Sequence, residues 1–150
     1  MIRTHVMIGL AAALFLLTSV ENKLVFLPVV LLASALPDLD TAHSSVGSKW
    51  YFRPLQFFTT HRGVMHSLTI CFVISMAFAF YIPVLALPFF LGYSLHLVGD
   101  SFTIDGIRPF WPLKKEVEGR VRTGGVFESG IFYSAVLVNI LLFVWIVLSY

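Results

Sequence analysis

Five apolar runs, separated by polar stretches, constrain the fold of this chain more than any other feature. The runs cover residues of about 6–20, 24–36, 64–81, 83–98 and 131–149. A chain of 150 residues, 58% of them hydrophobic and only 12% charged, cannot bury so much apolar surface inside one soluble domain. The lipid bilayer is therefore the expected solvent, and we predict an all-α, polytopic membrane helix bundle of four or five helices in a single domain, 1–150.

The lengths of the runs decide which of them are expected to span the bilayer. Only the fifth run reaches the ~20 residues that cross the hydrocarbon core comfortably. The run at 24–36 is short, so whether it spans fully is left open. The first run is similar to a secretory signal, but no small-x-small cleavage site precedes Glu21, and we expect the segment to be retained.

The distribution of basic residues predicts the orientation of the bundle. If all five runs span, the N-terminus and both long polar stretches lie on one side of the membrane. That side then carries nine of the ten basic residues, and the other side carries Lys23 alone. The positive-inside rule therefore places the N-terminus in the cytoplasm.

Histidine and aspartate residues, whose side chains can bind metal ions, lie where the apolar runs begin and end. Because successive helices alternate in direction, all of these residues are expected at the same, cytoplasmic face of the bundle. They are His5, Asp38, Asp40, His61, His66, His96 and Asp100. The remaining histidine of the five, His43, lies in a polar stretch and is interpreted as solvated.

The most specific pair is His96 and Asp100, four residues apart at the end of the fourth run. That spacing places both side chains on one helical face, one turn from each other, where they can share a metal ion. An Asp near a helix C-terminus opposes the helix dipole and needs a partner, which a cation supplies. The alternative interpretation is a helix-terminal His with a capping role followed by a loop Asp.

Two further groups are weaker when each is taken alone. Asp38 and Asp40 can each offer an oxygen to one ion, or they can simply form a polar turn that ends a helix. His61 and His66 flank the start of the third run, and both can face one centre or lie at headgroup level. Arg62 between them is suited to holding a phosphate.

Together these side chains predict a divalent metal centre. Mixed imidazole and carboxylate ligands suit zinc, and also manganese or iron, rather than calcium. The candidates are too many for one catalytic zinc with an open position, so we expect one or two ions with some residues supporting the ligands. Asp40, if it is not a ligand, is the candidate general base.

The motifs resemble those of a known family, the LexA-binding, inner-membrane-associated hydrolases, also described as membrane-bound metal-dependent hydrolases. The resemblance covers nearly the whole chain in order. Its elements are Thr4-His5, Pro37-Asp38-Leu39-Asp40, His61-Arg62-Gly63-x-x-His66-Ser67 and Gly92-Tyr93-x-x-His96-x-x-x-Asp100. It implies a location in the prokaryotic inner membrane, a distant likeness to zinc-dependent phospholipase C, and a role for Glu128 as the acidic metal-site residue before the last helix.

The expected function is hydrolysis of a phosphoester, with a lipid as one candidate substrate, by a metal-activated water at the cytoplasmic face. Arg62 and Asp40 would be the catalytic side chains, and membrane lipid and a small-molecule or lipid phosphoester the partners. A net charge of +2 gives no reason to expect nucleic acid. The alternatives are a metal-ion or proton transporter, which at this size would assemble as an oligomer, and a non-catalytic adaptor with a structural metal.

Overall fold

The computed structural model describes residues 1–40 and 64–149, apart from the side chains of Leu39 and Asp40. Within these parts of the chain there are five α-helices and one short 3-10 helix, and no β-strand. The helices are α1 (Ile2–Leu16), α2 (Lys23–Ala35), the 3-10 helix (Pro37–Asp40), α3 (Leu68–Tyr81), α4 (Pro83–Ser101) and α5 (Val126–Ser149). The predicted all-α helix bundle is confirmed.

The helices begin and end at different residues from the apolar runs. Of the described helices, α4 with 19 residues and α5 with 24 are long and apolar enough to cross a membrane. The prediction that only the last run reaches this length was therefore too narrow. Helix α4 gains its length because it continues past Val98 through Asp100 to Ser101, so a polar end that hydropathy excludes is still helical.

Helix α4 is the centre of the bundle, and it packs against α2, α3 and α1. Helix α1 packs in turn against α2 and α5. Small residues bring the helices close together: a Cβ atom at Gly92 in α4 would lie 2.3 Å from the Val30 carbonyl oxygen in α2. Close approach at small residues is a common way to join helices in a bilayer, where burial of apolar surface contributes little.

A matched pair of glycine substitutions tests this close packing. Gly92→Ala is expected to lower the free energy of unfolding by roughly 1–3 kcal/mol, because α2 and α4 must move apart. In α5, a Cβ atom at Gly130 would meet nothing within 4 Å. Gly130→Ala is therefore expected to raise stability by up to about 1 kcal/mol through helix propensity. The unfolding temperatures of both variants and the wild type are measured in one detergent. Equal unfolding temperatures for the two variants would contradict the close packing of α2 against α4 at Gly92.

Candidate metal centre

The end of α4 places His96 with a defined orientation. Its side chain is fully buried, and Nδ1 lies 2.8 Å from the backbone carbonyl oxygen of Ser34 in α2. Because a carbonyl oxygen can only accept, Nδ1 must carry the hydrogen, so Nε2 of the neutral ring presents a lone pair. This Nε2 atom is buried and makes no hydrogen bond to any residue that the structure describes.

Asp100, one turn further along α4, lies among three imidazoles. Its Oδ1 is 3.1 Å from Nε2 of His5. Its Oδ2 is 3.4 Å from Nε2 of His66 and 3.5 Å from Nε2 of His96. The carboxylate is 2% exposed, so its charge depends on these neighbours rather than on water. His96 and Asp100 lie on the same face of α4, as predicted.

His66 is held by the turn that precedes α3. Ser67 is the N-cap of that helix, and its hydroxyl accepts a hydrogen bond from the Ile70 N–H at 3.2 Å. The Tyr93 hydroxyl of α4 donates to the Met65 carbonyl oxygen, which ties the turn to the central helix. Both contacts fix the backbone on either side of His66 and so direct its buried ring toward Asp100.

Asp38 completes a group of four possible donors. It lies in the 3-10 helix after α2, and its Oδ1 is 3.8 Å from Nε2 of His96. One donor atom from each of four side chains lies within 4.8 Å of the other three; the side chains are Asp38, His66, His96 and Asp100. Three separate segments of the chain therefore converge at one end of the bundle.

The geometry and chemistry of this group fit a divalent transition metal. A tetrahedral ion with ligands at about 2.0–2.1 Å keeps its ligand atoms roughly 3.3 Å apart, close to the spacings around Asp100 and His96. The bond from His96 to the Ser34 carbonyl is the supporting contact that metal-binding histidines usually have. Two imidazoles and two carboxylates suit zinc, manganese or iron. The number of ions stays a prediction.

His5 lies beside this group rather than within it. Its ring stacks on that of His96 with centroids 4.0 Å apart, and it is 1% exposed. Gly99 makes room for it, because a Cβ atom there would lie 2.8 Å from the ring. The described contacts favour a supporting role, in which His5 fixes the carboxylate of Asp100. Direct metal binding by His5 stays a prediction.

Glu128 joins the first turns of α5 and α1. Its Oε1 accepts a hydrogen bond of 2.9 Å from the Thr4 hydroxyl and lies 3.6 Å from the N-terminal amine. Its Oε2 accepts a hydrogen bond from the Gly124 N–H. Glu128 therefore lies beside Thr4, the residue before His5, and outside the group of four donors. Both of its carboxylate oxygens have partners in these contacts. A metal role for it is untested.

Several predicted residues cannot be placed. His61 and Arg62, and the solvated residue His43, lie outside the described residues. Asp40 ends the 3-10 helix, but its side chain is not described. Sequence reasoning missed Ser34, which acts through its main-chain carbonyl and so leaves no signal in residue type. It also missed Gly99, whose position three residues after His96 in a helix was the available signal.

Substitution of His5 tests its supporting role. His5→Phe keeps an aromatic ring stacked on His96 but removes the hydrogen bond to Asp100. We expect metal affinity to fall by about 10–100-fold, the usual cost of losing a contact that orients a ligand. Competition with a chromophoric chelator measures that affinity. An unchanged affinity would contradict the supporting role, and a complete loss of metal would show that His5 is itself a ligand.

Comparison with known proteins identifies the family. A family model described as YdjM inner membrane protein matches residues 1–150. Two relatives named inner membrane protein YdjM, from Escherichia coli (strain K12) and Shigella flexneri, are each 33% identical over 96 residues, covering 58% of this chain and 49% of the relative. The match thus spans about half the length of these relatives, and no solved structure matches. Because the family model matches from end to end, this chain belongs to the YdjM inner membrane protein family.

Proposed function

We propose that this chain is a metal-dependent hydrolase of the inner membrane, acting on a phosphoester at the cytoplasmic face. One observation carries the proposal: Nε2 of His96, buried and without a hydrogen bond among the described residues, faces a group that also contains His66, Asp38 and Asp100. An uncompensated buried nitrogen costs free energy, and a metal ion would compensate it.

The chain's own residues have distinct tasks in this proposal. The Ser34 carbonyl fixes the His96 ring, and His5 fixes the carboxylate of Asp100. Asp38 has a side chain 17% exposed, against at most 2% for His66, His96 and Asp100, so substrate would approach from its side. A divalent ion bound here would act as a Lewis acid. It would lower the pKa of a bound water molecule toward neutral pH and withdraw charge from a phosphoryl oxygen of the substrate.

Two residues remain proposals from the sequence. Arg62 would hold the substrate phosphate, and Asp40 would accept a proton from the attacking water.

The cytoplasmic orientation is supported by the described basic residues, since the segment that follows Asp100 holds five of them whereas Lys23 begins α2 at the opposite end. The five are Arg108, Lys114, Lys115, Arg120 and Arg122.

The second candidate is a non-catalytic membrane adaptor with a structural metal. The observation in its favour is that four donors suffice to close a tetrahedral structural site without leaving a position for water. The transporter alternative has less support, because the donor group in the described part of the chain lies at one end of the bundle. A transport pathway needs ionisable groups near the middle of the membrane.

Hydrolysis and metal content measured together separate the candidates. Purified full-length protein, loaded with zinc, manganese or iron, is incubated with a panel of lipid phosphomonoesters, lipid phosphodiesters and nucleotides. We expect release of phosphate or headgroup from at least one class, falling to background in His96→Ala. Stoichiometric metal without any release would favour the adaptor, and absence of stoichiometric transition metal would remove the basis of both.

A further inference from the structure

An apolar cleft of about 370 Å³ lies between α4 and α5, with α1 as its floor. Helix α1 packs against both of the other helices, which make at most slight contact with each other. The apolar lining comes from all three helices and from the segment that joins α4 to α5. The residues are Ile8, Leu95, Val98, Phe102, Val121 and Ile131.

The outer part of the cleft opens onto the surface that faces the bilayer. Val98 and Ile131, on its two walls, are 50% and 42% exposed, and Phe102 is 61% exposed. On membrane helices, such apolar side chains are surrounded by hydrocarbon. The volume lies within the ~300–1,000 Å³ usual for sites that bind small ligands. The molecule with direct access to this cleft is a bilayer lipid.

The inner end of the cleft is His5, and its ring has two different edges. Nε2 faces Asp100 of the metal centre. The adjoining edge, formed by Nδ1 and Cε1, faces Gly99 in the wall of the cleft, because a Cβ atom built on Gly99 would lie 2.8 Å from both ring atoms. Nδ1 is buried and has no hydrogen-bond partner among residues 1–40 and 64–149. Because Nε2 donates to the Asp100 carboxylate, Nδ1 of the neutral ring is an acceptor, and a hydrogen-bond donor at the inner end of an occupant would supply its partner.

Positive charge flanks the cleft. Arg3 precedes the lining residue Thr4 and lies with its guanidinium carbon 5.6 Å from the Phe132 ring centroid in α5. Arg122 follows the lining residue Val121. Both arginines are exposed, as cations that meet an anionic headgroup at the membrane surface must be.

We propose that this cleft holds one hydrocarbon chain of a bilayer lipid with an anionic phosphate headgroup, and that a lipid bound in this way is the substrate of the metal centre, which His5 separates from the cleft. The substrate class would then be a membrane phospholipid rather than a soluble phosphoester. The statement that this lipid is a substrate rests on the proposed hydrolase function. Binding of the lipid's hydrocarbon chain depends on the cleft alone.

Photolabelling tests the cleft directly. The full-length protein is reconstituted in phosphatidylethanolamine vesicles that contain phosphatidylglycerol with a photoactivatable diazirine in one acyl chain. Two variants fill the cleft from opposite walls, Ile131→Trp and Val98→Trp. Two matched controls, Ile140→Trp in α5 and Val84→Trp in α4, change the same residue types on the same helices away from the cleft. Mass spectrometry of the labelled peptides locates the acyl chain.

In wild-type protein we expect label to concentrate on cleft residues above other bilayer-facing residues. Filling the cleft should reduce that label by roughly tenfold, whereas the controls should keep it. Label spread evenly over the bilayer-facing surface, or equal cleft labelling in all four variants, would overturn the proposal. Metal content is measured on the same samples: label in the cleft of a wild-type protein without metal would overturn the hydrolase function and leave the lipid site standing.

Discussion

Asp100→Asn is expected to remove stoichiometric metal from this protein. Among the residues that the structure describes, Asp100 is the one whose carboxylate contacts all three described histidines, His5, His66 and His96. The amide that replaces it has the same shape but no charge to balance a divalent cation. One of its two positions must also become an NH₂ donor facing a ring nitrogen, so the substitution opposes metal binding both by charge and by hydrogen bonding.

The expected size of this effect follows from the burial of the group. Removing one member of a buried charged pair costs about 3–5 kcal/mol, which corresponds to a loss of metal affinity of roughly 10²- to 10⁴-fold. Metal content of the purified protein, measured by mass spectrometry, should fall from stoichiometric to a small fraction. Any metal-dependent hydrolysis should be lost in parallel, because the ion that is measured as metal content is also the ion that hydrolysis would require.

Asp105→Asn is the matched control for this substitution. Asp105 lies five residues later, is exposed, and accepts a hydrogen bond of 3.2 Å from the Thr123 hydroxyl. The same chemical change there should leave metal content unaltered. If Asp100→Asn keeps its metal while remaining folded, Asp100 is not a ligand. The ion would then be held by side chains other than Asp100.

The convergence of the donors was predictable from sequence because it depends on connectivity. Alternating helices bring the start of α1, the end of α2, the start of α3 and the end of α4 to one side, whatever their packing. The spacing of His96 and Asp100 adds a local rule, since residues four apart share a helical face. Neither inference needs a tertiary contact, and both are found in the structure.

The supporting contacts were not predictable in the same way. The partner of His96 is the main-chain carbonyl of Ser34, which any residue type would provide. The stacking of His5 on His96 depends on how closely α1 approaches α4, which is set by Gly99 and is not a property of either helix alone. Hydropathy also placed the start of α5 at Ile131, whereas Glu128 lies in its first turn. Polar helix ends are invisible to an apolar pattern.

Removal of the metal by a chelator is expected to lower the unfolding temperature sharply. The ion would join three segments that the described contacts link only by packing and single hydrogen bonds: the 3-10 helix with Asp38, the turn with His66, and α4. At a free metal concentration a thousand times Kd, binding stabilises the folded state by about 4 kcal/mol, which for a chain of this length corresponds to roughly 8–16 °C.

Thermal unfolding in detergent, followed by circular dichroism with and without chelator, measures this shift. Re-addition of zinc should restore the original transition. In Asp100→Asn the chelator should change nothing, because the site is already lost, and this comparison separates the buried centre from zinc bound loosely at exposed carboxylates. A wild-type transition that is indifferent to the chelator would contradict a metal that joins these segments, and with it the explanation offered for the buried Nε2 of His96.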